Sequence, residues 1–178
     1  FRLILFDIDG TLISTDGAGV KAFGRVFDEI FGRPNATKNI IFAGRTDRRL
    51  VRDIFASNDI EPTDQNFHKF KEAYFEHLIR YLPEGQTEPL PGVRQLIQAF
   101  REQNPPPVIG LLTGNHPRGA ELKLKHYNLW QEFTMGAFGD QHEDRGDVAR
   151  DALQQGQSLI PEIRPEQILV IGDTERDI

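Results

Sequence analysis

The chain contains no cysteine among its 178 residues. That excludes disulfides, thiol catalysis and cysteine-ligated metals. It carries no excess of positive charge. The formal net charge is −6 and the pI about 5.4, which argues against a general nucleic-acid binder. No apolar run approaches the roughly 20 residues of a membrane helix. No signal peptide is visible, so the expected location is the cytoplasm. An initiator Met is also missing. The chain opens on a strand and stops at Ile178 after an acidic loop, and it reads as a piece of a longer protein. Repeats and low-complexity tracts are absent, and His68, His77, His116, His126 and His142 show no metal-ligand spacing. What is present is enough chain for one domain, or one domain plus an inserted module, with a substantial core.

Residues 3–7 form a short apolar run before a glycine, as a buried parallel strand does. From about residue 17 the period changes to helical. Val20, Phe23, Val26, Phe27, Ile30 and Phe31 recur on one face, and Gly32 and Pro34 close the helix. Leu50, Val51, Ile54 and Phe55 predict a second helix over 46–57, and Phe67, Phe70, Tyr74, Phe75, Leu78 and Leu82 a third over 64–82. The stretch "PEGQTEPLPG", 83–92, reads as a linking loop. Strands and helices then alternate. A helix holds Val93, Leu96, Ile97 and Phe100. Strands are expected at 108–113, 134–138 and 168–172, with helices at 117–127 and 146–156. Such alternation predicts an α/β core, a parallel sheet with helices on both faces. An all-helical insert of roughly 15–86 interrupts it after the first strand.

Three strands end in polar loops: Asp7 and Asp9 after the first, Thr113-Gly114-Asn115 after the second, and Gly172-Asp173 with Asp177 after the last. Ligands of open α/β sheets bind beyond the carboxyl ends of the strands, where such tips converge. Two carboxylates so close repel unless a cation or a proton lies between them. Hard oxygen ligands of this kind suit Mg²⁺, and Asp173 is placed to complete its site. The plainer reading of any one aspartate is a turn or helix cap. Three acidic strand ends in one alternating pattern weigh against it.

"DIDGT" at 7–11, "LLTGN" at 111–115 and "GDTERD" at 172–177 resemble the first, second and fourth motifs of the haloacid dehalogenase superfamily, in the family's order and across nearly the whole chain. The helical insert resembles the family's α-helical cap, and the whole is most similar to the phosphoglycolate-phosphatase-type branch. The resemblance implies a Rossmann-like catalytic core over 1–14 and 87–178 and a cap over 15–86. It makes Asp7 the nucleophile and Asp9 the general acid and base. It implies that Asp7, the main-chain carbonyl of Asp9 and Asp173 hold Mg²⁺, with Asp177 as an outer partner. Gly10 and Thr11 would line the substrate. Thr113, with the N–H groups of Gly114 and Asn115 near a helix start, would bind phosphoryl oxygens.

The family's third motif is a cation, and two residues compete for it. Arg145 is the positional match in "HEDRGDVARDAL", although the family usually shows Lys followed by Pro. Lys123 lies on the helix after the second motif. In "AGRTDRRLVRD", 43–53, Arg45, Arg48, Arg49 and Arg52 share one side of a helix. The plain reading is a solvated face. The sharper one gives Arg45 a charged part of the substrate, which suits a carboxylate. Thr46 or Asp47 is expected to cap that helix. His116 reads as a loop histidine beside the phosphate loop, and Trp130 and Phe133 as core.

The resemblance covers several reactions, so the site must choose among them. Family dehalogenases lack the second carboxylate. Phosphonatases replace it and use a cap lysine, for which Lys21 is near the right place. Asp9 weighs against both. Sugar phosphomutases share both aspartates and are the nearest rival, and a non-enzymatic binding module is the most distant one. The expectation is a Mg²⁺-dependent phosphatase that works through an aspartyl-phosphate. It would act on a small soluble ester, phosphoglycolate first, then a sugar phosphate or nucleoside monophosphate. Neither nucleic acid nor membrane is expected as a partner, and the protein is expected to be a monomer or homodimer.

Overall fold

All four residues of β1, Leu3–Phe6, are buried and apolar. A strand apolar on both faces belongs in the middle of a parallel sheet. The structure, a computed structural model that describes residues 1–175, places it there. β2 (Val108–Leu112) flanks β1 on one side and β4 (Ile168–Ile171) on the other, and β3 (Met135–Ala137) lies outside β2. The order is β3-β2-β1-β4 and every pairing is parallel.

Helices cover both faces, as parallel strands require. Four helices precede β2: α1 (Ala18–Glu29), α2 (Asp47–Ser57), α3 (Asp64–Tyr81) and α4 (Val93–Arg101). α5 (Pro117–His126) leads to β3 and α6 (Arg145–Leu159) to β4. On one face, Val93 and Ile97 of α4 and Ala120 and Leu124 of α5 pack on Ile4, Phe6, Ile109 and Leu111. The rings of Phe100 and Phe133 meet Phe6 edge-on. On the other face, Val148 and Ala152 of α6 pack on Leu3, Leu5, Leu112 and Ala137. The α/β reading of the sequence holds.

The helices between β1 and β2 have an apolar core of their own. Phe23 and Phe27 of α1, Phe55 of α2, and Phe70 and Tyr74 of α3 pack ring on ring. The buried stripe of α1 runs through Ala18, Ala22, Phe23, Val26 and Phe27. It is narrower than the periodicity predicts. Val20 and Ile30 are 43 % and 46 % exposed, because α1 packs chiefly against a single helix, α3. Leu96 on α4 is likewise exposed. Thr46 and Thr63 cap α2 and α3, each accepting the N–H three residues on through Oγ1.

The carboxyl ends of β1 and β2 lead directly into Asp7 and Thr113, and that of β4 reaches Asp173 through Gly172. The start of α2 lies against this end of the core and is fastened there partly through backbone. The N–H of Asp47 donates to the Gly114 carbonyl at 2.7 Å, and that of Arg48 to the Gly139 carbonyl at 3.3 Å. Thr46 Oγ1 donates to the Glu143 carbonyl at 3.2 Å. So close an approach requires glycine. A Cβ on Gly114 would run into the Arg45 carbonyl, and one on Gly139 into the Gly114 carbonyl. No helix among the described residues is long and apolar enough to cross a membrane.

Candidate active site

A cavity of about 320 Å³ opens between the strand ends and α1–α3. Asp7 stands at its base, 6 % exposed, and its N–H donates to the Ile171 carbonyl at 2.9 Å. The chain then turns tightly. The Ile8 carbonyl accepts the N–H groups of Leu12 and Ile13, and Gly10 has φ 84°. The turn sets Asp7 and Asp9 on the wall of one cavity.

Each aspartate has its own cation. Arg145, the first residue of α6, places Nη2 at 3.2 Å from Asp7 Oδ2 and 3.4 Å from the Leu112 carbonyl. Lys123 of α5 is 4 % exposed, and its Nζ lies 2.6 and 2.9 Å from the two oxygens of Asp9. It also donates to Asn115 Oδ1 at 2.7 Å. The competing cations of the sequence thus occupy two places, Arg145 at the first carboxylate and Lys123 at the second. The Asp7 carboxylate, drawn out of water, needs such a partner, while Asp9 stays partly exposed beside its own.

Asn115 links the second carboxylate to the β2 loop. Its Nδ2 donates to Asp9 Oδ2 at 2.9 Å and to Thr113 Oγ1 at 2.8 Å. Thr113 is fully buried, and its N–H is spent on the Ala137 carbonyl. Its hydroxyl accepts from Asn115 and keeps one O–H to give. Gly114 lines the cavity beside them.

Gly10 and Arg45 line the cavity, and Gly10, Thr11 and Arg45 each also make contacts within the protein. The N–H of Gly10 closes the turn onto the Ile13 carbonyl at 2.9 Å, so it is not offered to a ligand. What Gly10 contributes is space, since a Cβ there would run into the Asp173 carboxylate. Thr11 Oγ1 donates to Asp173 Oδ1 at 3.4 Å and steadies that carboxylate. Arg45 lines the cavity, but its Nη2 sits 2.5 Å from Asp53 Oδ2. Asp53 also takes Nε of Arg49. The neighbouring arginines are engaged too, Arg48 over the Phe67 ring and Arg52 with Glu143. Lys21 pairs with Glu84 at 2.5 Å. His116 caps α5, its Nδ1 accepting the Arg118 N–H, and burial lowers its pKa.

Two residues of the cavity wall escape sequence reasoning. Asp47 follows a cap that Thr46 already supplies, and its side chain reaches across to the core. Its Oδ2 accepts the His116 N–H at 2.8 Å. Burial pushes its pKa up to about 6, against the pull of Lys123 and of that N–H. Tyr74 is 2 % exposed, with its ring among Phe23 and Phe70. Burial, then the charges of Asp47 and Asp9, push its hydroxyl well up, so it stays protonated. The signals were faint: an acid placed after a sufficient cap, and a tyrosine on a face otherwise rich in phenylalanine.

The donor set suits a hard cation. Asp7 and Asp173 both line the cavity, and the missing Cβ of Gly10 is what admits the Asp173 carboxylate. Among the described residues no three His, Cys, Asp or Glu side chains form a cage. Mg²⁺ does not need one, since it binds through one or two carboxylates and keeps several waters. Asp177, the fourth expected ligand, lies outside the described residues.

Residues 4–178 match the family described as haloacid dehalogenase-like hydrolase. Pyrophosphatase PpaX of Bacillus mycoides is 24 % identical over 176 residues, 98 % of this chain and 76 % of the relative. CbbY from Rhodobacter sphaeroides, solved with phosphate, aligns at TM-score 0.73 with 18 % identity, covering 98 % of this chain and 79 % of that one. A predicted phosphoglycolate phosphatase from Haemophilus somnus aligns at TM-score 0.71 with 20 % identity, over 100 % of this chain and 79 % of that one. At these identities the two solved structures speak for the fold.

Proposed function

The chain belongs to the haloacid dehalogenase-like hydrolases, and from that premise we propose a cytoplasmic phosphatase that hydrolyses small phosphate monoesters through Asp7. The observation that supports this most is the division of labour at the end of β1. Two carboxylates two residues apart each hold a different cation, Arg145 at 3.2 Å and Lys123 at 2.6 Å. The two are thereby made unlike, one suited to attack and the other to handle a proton.

Asp7 attacks phosphorus and the bond to the ester oxygen breaks. Asp9 gives that oxygen a proton, and the alcohol leaves. Water, deprotonated by Asp9, then attacks the aspartyl-phosphate, releasing inorganic phosphate and restoring Asp7. Arg145 balances charge at Asp7 and at the transferring group. The Thr113 hydroxyl and the N–H groups of Gly114 and Asn115 serve the phosphoryl oxygens. Lys123 and Asn115 hold Asp9 in place. Asp7, the Asp9 carbonyl and Asp173 would hold Mg²⁺, with Asp177 outside them, and the ion would offset repulsion between nucleophile and phosphate. Residues 15–86 act as the cap over a core of 1–14 and 87–178, excluding bulk water.

Different parts of the wall favour different esters. Phosphoglycolate would bring a carboxylate to Arg45, which is already held by Asp53 at 2.5 Å. A sugar phosphate would bring hydroxyls. Pyrophosphate joins the comparison because the curated relatives are named for it.

The test is phosphate release from phosphoglycolate, hexose phosphates, nucleoside monophosphates and pyrophosphate, with Mg²⁺ and with excess chelator. Chelator-sensitive release from a monoester is expected. No release from any of them, with a β-hexose phosphate isomerised instead, would replace hydrolysis by the mutase reaction.

A further inference from the structure

The cavity wall is polar in a particular way. Arg45, Lys123 and Arg145 are cations lining the cavity, and each already has a carboxylate, at 2.5, 2.6 and 3.2 Å. Asp47 brings a further carboxylate to the same wall. One of its oxygens is fixed by the His116 N–H. Its other oxygen takes no hydrogen bond from the described residues. Tyr74 lines the cavity as well, and although the residue is 2 % exposed, its hydroxyl has no hydrogen-bond partner among the described residues. The ring is buried, but the hydroxyl oxygen itself is not among the buried unpaired atoms, so it is open to water or a ligand in the cavity.

Gly19 keeps this corner open. A Cβ there would lie 3.6 Å from Lys123 Nζ and 3.8 Å from Tyr74 Oη. The phenol and the ammonium beside Asp9 therefore face one gap on α1. That gap adjoins the group that protonates the departing alcohol, so it is where the leaving group must lie.

We infer that Asp47 and Tyr74 are specificity-determining residues that select leaving groups carrying hydroxyls, polyol or sugar phosphates, over esters carrying a second anion; this rests on the phosphatase reading above. A hydroxyl can donate to the open oxygen of Asp47 and accept from the O–H of Tyr74. An alkyl group would leave both unmatched, and a carboxylate or second phosphate would meet Asp47 as a like charge. The raised pKa of Asp47 fits the same surroundings. Near neutral pH the group is chiefly an acceptor, and below about 6 it becomes a donor as well.

The experiment measures kcat/KM for glycerol 3-phosphate, propyl phosphate and phosphoglycolate on the wild type, Asp47→Asn and Tyr74→Phe. The first two esters differ only in hydroxyls. The wild type is expected to prefer glycerol 3-phosphate to propyl phosphate by about tenfold or more. Both variants should shrink that ratio, chiefly through KM for the hydroxylated ester. In Asp47→Asn the amide oxygen keeps the His116 N–H and turns an NH₂ toward the cavity, whereas Tyr74→Phe removes only an oxygen. Equal wild-type rates on the first two esters, a preference for phosphoglycolate, or a uniform fall in kcat on all esters would each overturn the inference. Chelator-sensitive release from any of them would still uphold the phosphatase reading. Release from none would overturn that reading as well.

Discussion

The ammonium of Lys123 straddles both carboxylate oxygens of Asp9, although 114 residues separate them in the chain. Asn115 closes the triangle, accepting from Lys123 and donating to Asp9. The carboxylate proposed as acid and base is thus held by two partners from the loop and helix after β2. Replacing Lys123 by Met should lower kcat by about 10²–10⁴-fold with a smaller change in KM. Steady-state kinetics on 4-nitrophenyl phosphate measures this, and a kcat near wild type would remove Lys123 from the machinery.

Asp7→Asn should reduce turnover by roughly 10⁴-fold or more, since the side chain is lost as a nucleophile while its shape is kept. Circular dichroism should show an unchanged fold. Phosphate release well above background would assign the attack to another group.

Asp173→Ala should raise the Mg²⁺ concentration for half-maximal rate by about tenfold or more. Thr11 would then lose its carboxylate partner and Gly10 its close neighbour. A Mg²⁺ titration compares the two proteins, and superimposable curves would place the ion elsewhere.

Asp47 gives a stability prediction with a definite sign. Its folded pKa is raised from 3.8 to about 6, so the folded state holds its proton more tightly than the unfolded chain does. The resulting penalty is absent at about pH 4 and below and fully present above about pH 6. Asp47→Asn should therefore be the more stable protein at about pH 8, by up to about 3 kcal/mol or roughly 6–12 °C in Tm. The gap should close as the pH falls toward about 4. Melting curves at several pH values read it directly, and a gap that widens on acidification would reverse the assignment.

Gly114→Ala should destabilise by about 1–3 kcal/mol, because the new Cβ meets the Arg45 carbonyl, a backbone atom that cannot turn aside. Gly17→Ala is a useful contrast. Gly17, unlike Gly114, has positive φ, and no atom lies within 4 Å of the added carbon, so its cost is confined to its own backbone.

Much of the site was legible in the chain because strand ends carry it. Asp7, Thr113 and Asp173 each follow an apolar run, and a parallel sheet brings such ends together. The helix boundaries were legible for the same kind of reason, as Thr46 and Thr63 cap where capping residues stand. Periodicity could not tell how wide a buried stripe would be, so Val20 and Ile30 were misplaced. Nor could it show that Asp47 reaches the His116 N–H. That contact joins residues 69 apart and exists only when α2 lies on the core. Nor could periodicity show that Arg45, which precedes α2 and lines the cavity, is held there by Asp53.

The fastening of α2 to the core joins main-chain bonds, the N–H of Asp47 on Gly114 and the N–H of Arg48 on Gly139, with three side chains: Thr46 Oγ1 and Arg52 on Glu143, and Asp47 Oδ2 on the His116 N–H. Asp47 joins the fastening with both halves of its structure, its amide on Gly114 and one carboxylate oxygen on the His116 N–H, while its other oxygen is left toward the cavity. A substitution there that keeps an oxygen for His116, as Asn does, therefore alters the cavity wall while sparing the joint, whereas one that removes it loosens the seat of α2 as well.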